Sequence, residues 1–379
     1  MPIGSGAVYS SVGPAPALYG VYPDPVHMVR TTTSDPVIQV VQSPGWFNRC
    51  TGTVPTSVTT HFPSSYMIAD VVSASDQPNN HLVVLQPDGH TIVQIVAAAR
   101  CTPGGPLYGY VYGTGNSTSD VYGDGRFGTH ASQLSALGGS IRAGELTSTT
   151  PINHVLDLEF YEGQNYNYGG GGAGCFRWPA NSCDSYASPS TYGGTNPDFK
   201  IGALLAIPPS VTPQSLGITT PAALKVFQAL QNYGAYATES TAWSAYNVAV
   251  DKGAVGEFPQ GTARDEISRL ISSLRIVTNN SATSVGGGGT PRLPLLAPLG
   301  TDSTTSTVVA TTTTAPITTA SKTVSTPTTT TAPTTTTTTA PTTTTTATTT
   351  TTTSTTTTAL TPTNAEPSNK KQRGKSWHA

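Results

Sequence analysis

The feature that most limits how this chain can fold is its threonine-rich C-terminal part. From residue 301 to residue 363 the sequence is nearly all Thr, with Ala and Pro interspersed. Such a segment has almost no apolar surface to bury, so it cannot offset the entropy cost of becoming ordered. We therefore predict a disordered tail over residues 299–379, which leaves about 300 residues for a folded part.

The composition excludes some classes of partner. Charged residues make up only 10% of the chain and the net charge is −2, so there is no electrostatic footprint for nucleic acid. A few basic residues near the end are predicted to form a solvated tip, with contact to an anionic wall or membrane as the alternative: Lys370, Lys371, Arg373 and Lys375. No apolar run is long enough to span a bilayer. The first residues lack the features of a signal peptide.

The four cysteines nevertheless favour an exported protein. Their number is even and no CxxC spacing occurs, which argues against a zinc site and for two disulfides. Three connectivities are possible. We favour Cys50–Cys101 with Cys175–Cys183, because each pair lies within one stretch of the chain. No metal and no cofactor are expected.

Hydrophobic patterns predict a mainly β fold with few helices. Residues 1–35 are rich in Gly, Pro, Ser and Tyr and are predicted to form an irregular arm, followed by one domain over residues 36–298. Two β-branched runs around Pro-Asp-Gly predict a hairpin over residues 81–96. Helices are expected from Pro221, with Thr220 as its cap, and over residues 262–274. Many short strands with two or so peripheral helices indicate a jelly-roll or concanavalin-like β-sandwich.

A predicted strand over residues 152–160 carries the clearest candidate chemistry. Asp157 and Glu159 are two residues apart, so they share a face with backbones about 6.6 Å from one another. Pairs of carboxyl groups at about 5–9 Å catalyse glycosidic cleavage. If this face lines a groove, the pair would contact a sugar; the alternative is a solvent-facing strand with two inert acids. His154 points to the other, apolar face, where a buried structural histidine is the alternative to a catalytic one.

Other candidates lie in the flanking loops. Glu145 and Arg142 precede the strand and are expected to contact a substrate or to form an ordinary ion pair. The loop from Cys175 to Cys183 displays Arg177 and Trp178, with several tyrosines nearby in sequence, including Tyr192. Aromatic rings stack on sugars and Arg binds hydroxyl groups, so this composition favours glycan binding.

Several motifs together resemble an uncharacterised family of exported actinobacterial β-sandwich proteins. These motifs are Leu134–Leu146 (LSALGGSIRAGEL), Ile152–His154, Phe176–Ala180 (FRWPA), Tyr192–Pro197 (YGGTNP), Gly202–Pro208, Leu230–Tyr236 and the Gly286–Pro291 run. The resemblance covers about residues 80–295 and implies one jelly-roll-like domain across that range. It marks five positions as typical of the family: Arg142, Glu145, His154, Arg177 and Trp178. Asp157 and Glu159 are not part of the pattern.

These observations lead to a hypothesis about function. We expect an exported or wall-associated monomer that binds or cleaves polysaccharide in a groove, as a glycoside hydrolase or polysaccharide lyase. Glu145 would be the acid or base with His154 as its partner, and Arg142 or Arg177 would neutralise a uronate. The alternatives are a non-catalytic glycan-binding module and a structural envelope protein, either of them held on the Thr-rich stalk.

Overall fold

The computed structural model describes residues 1–69, 78–111 and 118–294. The strands are β1 (Val21–Arg30), β2 (Val37–Gln42), β3 (Pro55–His61), β4 (His81–Leu85), β5 (Thr91–Ala99), β6 (Leu107–Tyr110), β7 (Thr118–Asp120), β8 (Leu156–Phe160), β9 (Leu204–Ala206), β10 (Ala235–Ser240), β11 (Tyr246–Asp251) and β12 (Arg275–Ile276). The helices are α1 (Ala136–Gly139), α2 (Pro221–Asn232) and α3 (Thr262–Ser273). The predicted mainly β class is confirmed. The predicted disordered tail, residues 299–379, lies outside the described residues.

The strands form one mixed sheet. Their order is β12-β9-β10-β8-β11-β1-β4-β5-β6-β2-β3, and β7 pairs with β5. Strand β1 runs parallel to both of its neighbours, β11 and β4. Strand β8 is parallel to β10 and antiparallel to β11. Because parallel neighbours need long connections, the strands that pair in parallel in this sheet come from distant parts of the sequence.

The prediction of an irregular arm over residues 1–35 is wrong for β1, which lies in the middle of the sheet. Its sequence resembles a loop because it contains Pro23 and Pro25. Both prolines have the same parity, so the two N–H groups that they lack face one neighbouring strand and the other ladder stays complete. Further upstream, Ile3 is fully buried and Gly4 pairs with Pro291. The first residues therefore belong to the compact unit.

Strand β5 connects two groups of strands. Its first half pairs with β4, and its second half pairs with β6 after a register shift at Ala97, whose φ of 51° is left-handed. Side chains from β1, β4 and β5 share one buried apolar cluster with side chains from β2, β3 and β6. The hairpin between β4 and β5 is the predicted one. Asp88 accepts hydrogen bonds from the backbone of His90 and Thr91, and Gly89 takes the φ of 73° that the turn requires.

The two predicted helices are present, and α2 begins at Pro221 as expected. Glu266 on α3 is buried and accepts hydrogen bonds from the backbone and hydroxyl groups of Thr219 and Thr220 at the start of α2. Burial opposes ionisation, but these hydrogen bonds lower the pKa of Glu266 to about 2. One carboxylate therefore joins the two helices where α2 leaves its free N–H groups.

Both predicted disulfides are present, Cys50–Cys101 and Cys175–Cys183. The first joins the segment after β2 to the end of β5, and the second closes a short loop after β8. Of the helices in the described ranges, none has the length and apolar character needed to cross a membrane.

Candidate functional site

A row of polar side chains crosses the middle of the sheet. Five strands that are consecutive in the sheet each contribute one residue: Glu239 (β10), Glu159 (β8), Asn247 (β11), Asp24 (β1) and His81 (β4). Glu159 pairs in register with Glu239 on one side and with Asn247 on the other. Asp157, on the same face of β8, and His130, from a loop, lie against this row. We call Asp24, His81, His130, Asp157, Glu159 and Glu239 the His–carboxylate cluster.

His130 lies between two carboxylates of the cluster. Its Nε2 is 2.8 Å from Asp157 Oδ2, and its Nδ1 is 3.0 Å from Glu239 Oε2. The Nε2 atom of His81 is 3.3 Å from the same Glu239 oxygen and 3.9 Å from Asp24 Oδ2. The centroids of the two imidazole rings are 4.2 Å apart. Both histidines therefore converge on one oxygen atom of Glu239.

Local packing explains how His130 and Asp157 come to this position. The loop that carries His130 is held to β10 by a hydrogen bond from the Ser132 backbone N–H to the Thr238 carbonyl, 3.0 Å long. Helix α1 follows this loop and packs directly on β8 through Gly139. A Cβ atom at Gly139 would lie 2.6 Å from the Cβ of Asp157, so only glycine permits this contact. The loop and α1 together cover the polar face of β8.

The cluster is shielded from water and has more carboxylates than cations. His81 and His130 are fully buried, whereas the Glu239 side chain, the most open of the six, is 14% exposed. Four carboxylates face two histidines. In the part of the chain that the structure describes, no Lys or Arg forms an ion pair with any of them. Because burial of an uncompensated charge is costly, these acids require protons or a bound cation.

The environment shifts pKa values within the cluster in opposite directions. Burial, then repulsion by Asp24 and Glu239, raises the pKa of Glu159 well above its ordinary value. For Glu239 burial acts in the same direction, but hydrogen bonds with His130 and His81 lower its pKa to about 2. Burial would lower the pKa of His130, but Asp157 and Glu239 raise it well above normal. The cluster can therefore hold a protonated acid beside an ionised one.

Four of these side chains could also ligate a metal ion, which the sequence analysis did not anticipate. One nitrogen or oxygen atom from each lies within 4.8 Å of the others: His81, His130, Glu159 and Glu239. Imidazole and carboxylate groups are common ligands of divalent transition metals. The cluster thus supports proton transfer or cation binding.

A cleft of about 350 Å³ lies at the loop closed by the second disulfide. It is lined by Tyr168, Phe176, Asn181 and Asp184, with Gly and Ser residues between them. Asp184 is 7% exposed, and its Oδ2 accepts a 2.5 Å hydrogen bond from the hydroxyl of Tyr192. Burial, together with the charges of Glu239 and Glu162, raises the pKa of Asp184 to about 7. We call this the Asp184 cleft.

A second concave surface is aromatic. The Trp243 ring contacts Tyr19 and Tyr22, with centroid distances of 5.2 and 5.1 Å. The guanidinium group of Arg264 lies 3.9 Å from the centre of the Tyr22 ring. Tyr19 is 48% exposed, and Tyr19, Tyr22 and Arg264 border a cavity of about 440 Å³ that is also lined by Asp265. We call this surface the Tyr19–Trp243 patch.

The predicted pair Glu145 and His154 is in contact. His154 Nε2 is 3.0 Å from Glu145 Oε2, and Arg142 binds the same carboxylate through its backbone N–H and its guanidinium group. The backbone carbonyl of Glu145 accepts a hydrogen bond from Lys225. None of the hydrogen bonds that Glu145 and His154 make within the described residues reaches the His–carboxylate cluster. The pair is thus a second, separate ionic site.

The other predicted loop residues, Arg177, Trp178 and Tyr192, have different surroundings. Arg177 donates to the backbone carbonyl groups of Asp198, Thr278 and Asn280, so its guanidinium group joins two segments of the chain. Trp178 is partly buried, and Tyr192 is in the core. Among the described residues, none of the side-chain hydrogen bonds of Arg177 and Tyr192 reaches the Glu145–His154 pair.

Asp157 and Glu159 were correctly predicted to share a face, but the alternative of a solvent-facing strand is wrong, because both are buried. Five residues of the cluster and the cleft were missed by the sequence analysis: Asp24, His81, His130, Asp184 and Glu239. The sequence pattern that could have revealed them is a charged or imidazole side chain within or next to an apolar predicted strand, as in His81-Leu-Val-Val-Leu. No family model, curated protein or solved structure matches the chain.

Proposed function

We propose that this protein is exported and cleaves a polysaccharide by acid–base catalysis in the Asp184 cleft. The observation that carries the proposal is a carboxyl group, almost fully buried, in the lining of a polar and aromatic cleft. Glycosidic cleavage needs an acid that is still protonated near neutral pH and can protonate the leaving oxygen. The raised pKa of Asp184 matches this requirement.

Groups within and beside the cleft would supply the rest of the reaction, although Glu162 is not among the residues that line the cleft. Glu162 is close enough to Asp184 for its charge to raise the pKa of that acid, and its carboxylate accepts a hydrogen bond from Ser240. Glu162 is our candidate for the second carboxylate, as base or nucleophile. Tyr168 and Phe176 offer ring faces to a sugar, and Asn181 can bind its hydroxyl groups.

The same proposal includes the finer fold class, the family and the location. We propose a jelly-roll or concanavalin-like sandwich, supported by the apolar cluster between the two groups of strands that β5 connects. Membership in the exported actinobacterial family is supported by the motifs quoted above. Export is supported by the two disulfides, which persist in oxidising compartments.

Asp184→Asn is expected to reduce oligosaccharide release by about 100-fold, because an amide cannot protonate the leaving group. The purified full chain should be screened against a polysaccharide panel, with reducing ends and unsaturated products measured separately to distinguish a hydrolase from a lyase. Wild-type activity should fall as the pH rises above about 7, where Asp184 loses its proton.

Two further variants make this screen decisive. Asp35→Asn, in the turn between β1 and β2, is the matched control and should retain full activity. Glu145→Gln tests the alternative acid–base pair of Glu145 and His154. Full activity of Asp184→Asn together with an inactive Glu145→Gln would move the reaction to the second site and overturn our assignment of the acid.

The second candidate function is a non-catalytic glycan-binding module on the Thr-rich stalk, and the Tyr19–Trp243 patch favours it. Trp243→Ala should weaken binding to an immobilised glycan about tenfold, because ring stacking on the sugar is lost. Tyr122→Ala, a change at another exposed tyrosine (39% exposed), is the control and should bind normally. Binding without product release, lost in Trp243→Ala, would favour the module over the enzyme.

A further inference from the structure

We propose that the His–carboxylate cluster binds one divalent transition-metal ion of the Zn²⁺ type. Its ligands are two histidines and two glutamates, which we call the four ligand residues: His81, His130, Glu159 and Glu239. This inference does not rest on the proposed polysaccharide cleavage, because it uses only the arrangement of these side chains.

The strongest argument is how three of the four ligand residues are held. Each is bound at one polar atom by a neighbour outside the set, which leaves its other polar atom directed at the shared centre. His130 is held through Nε2 by Asp157, and its Nδ1 faces Glu239. A carboxylate on the far nitrogen of an imidazole is the usual partner of a metal-binding histidine, because it sets the tautomer and orients the ring.

The two glutamates follow the same pattern. Asn247 donates a 2.9 Å hydrogen bond to Oε2 of Glu159, while no donor from the described part of the chain reaches the buried Oε1 atom. Asn79 donates a 3.3 Å hydrogen bond to Oε1 of Glu239, and the Oε2 atom faces both histidines. Amide donors outside the centre thus orient one oxygen of each carboxylate towards it.

His81 completes the set from the opposite side. It is fully buried, and its Nδ1 makes no hydrogen bond within the described residues. Its Nε2 has only the 3.3 Å contact with the Glu239 oxygen that His130 also contacts. A buried imidazole nitrogen held only by a long contact is costly, and metal ligation would satisfy Nε2.

Distances and charge are compatible with a bound ion. Zn–N and Zn–O bonds of about 2.0–2.2 Å place the ligand atoms of a tetrahedral site about 3.4 Å apart. Two of the separations are already 3.0 and 3.3 Å, and rotation of the longer side chains can shorten the rest, which are within 4.8 Å. A divalent cation would also offset the excess of carboxylates. The mixed imidazole and carboxylate set favours Zn²⁺ over Mg²⁺ and Ca²⁺, which prefer oxygen ligands alone.

The first test measures metal content and coordination in the unmodified protein. The full chain is stripped with a chelator, incubated with a small excess of Zn²⁺, desalted and analysed by mass spectrometry of the metal. We expect one Zn²⁺ per chain and a rise of about 5 °C in the unfolding midpoint. X-ray absorption should detect imidazole scattering from two histidines and no sulfur. Less than a tenth of an equivalent of zinc, or a sulfur-containing shell, would overturn the proposal.

Variants then locate the ion without depending on activity. His81→Asn and Glu239→Gln are expected to weaken Zn²⁺ binding at least about 100-fold, and Asp157→Asn, which alters only the support of His130, about tenfold. The matched control is His154→Asn, since His154 also pairs with a glutamate but lies outside the cluster, and it should bind Zn²⁺ normally. Retained binding in His81→Asn, or loss in the control alone, would place the ion elsewhere and refute the assignment.

A change in activity is a separate readout. If zinc binds at the four ligand residues while Asp184→Asn remains fully active on polysaccharide, the metal proposal stands and the catalytic proposal fails. If no zinc binds while Asp184→Asn is inactive, the reverse holds. The two proposals can therefore fail independently.

Discussion

Truncation of Phe160 to Ala is expected to lower the free energy of unfolding by about 3–5 kcal/mol, among the largest effects of any single substitution in this chain. The side chain is fully buried at the end of β8. Its ring makes edge contacts with Phe199, Tyr246 and Tyr166 at centroid distances of 5.2, 5.7 and 6.4 Å. Removal of the ring would leave a cavity that these three aromatic residues cannot fill by small movements.

Urea unfolding of the full chain measures this effect. The control is Phe127→Ala, because Phe127 is 39% exposed and its loss should change the free energy of unfolding by less than about 1 kcal/mol. Equal effects of the two substitutions would mean that the aromatic contacts around Phe160 contribute little. Glu159 precedes Phe160 and points to the opposite face, so Phe160→Leu, which retains more volume, should preserve the His–carboxylate cluster better than Ala does.

Short-range sequence patterns were sufficient to predict the features that depend on residues close together in the chain. The Pro-Asp-Gly turn, the proline at the start of α2 and the Cys175–Cys183 disulfide all depend on residues close together in the chain. Each was predicted correctly because the physical constraint, such as a left-handed glycine or a missing N–H group, acts within a few residues. Thr220 occupies the cap position of α2, but its hydroxyl donates to Glu266 and does not cap the helix. The Cys50–Cys101 disulfide was also predicted, although 51 residues separate its cysteines.

The same rules failed at β1 because its neighbours determine its structure. Two prolines and an aspartate in ten residues indicate a loop, yet the partners β11 and β4 come from residues 246–251 and 81–85. Pairing with these distant strands overrides the weak local preference. The same sequence also supplies Asp24, one member of the His–carboxylate cluster.

Only part of the His–carboxylate cluster could be predicted from the sequence, for a related reason. Alternation along β8 establishes that Asp157 and Glu159 share a face, but it does not say what covers that face. The cover is α1 and the loop with His130, and the remaining members come from three further strands. A buried cluster assembled from four strands and a loop in non-sequential order has no spacing motif that a sequence pattern could reveal.

The two disulfides are expected to stabilise the protein to different degrees. Their removal is the second change for which we expect a large effect. Cys50 and Cys101 are 51 residues apart, so replacing both with Ala should cost about 4 kcal/mol of stability, compared with about 2.5 kcal/mol for Cys175 and Cys183, which are 8 residues apart. The first pair also adjoins Arg49, a fully buried arginine held by backbone carbonyl groups of Trp46 and Pro78. Without this disulfide, the segment that holds the buried Arg49 guanidinium group would be less constrained. The weaker support of this charge would add to the loss of stability.

The two double-cysteine variants should rank in the opposite order when the proposed activity is measured instead of stability. Cys175 and Cys183 line the Asp184 cleft, and Cys183 directly precedes the proposed acid. Their replacement should therefore reduce polysaccharide cleavage at temperatures where the protein is fully folded, whereas the Cys50/Cys101 double variant should retain its activity until it unfolds. Urea midpoints and initial rates at 15 °C measure both properties. Activity that follows stability in both variants would show that the Cys175–Cys183 loop plays no direct part in the cleft, and the catalytic proposal would lose its structural basis.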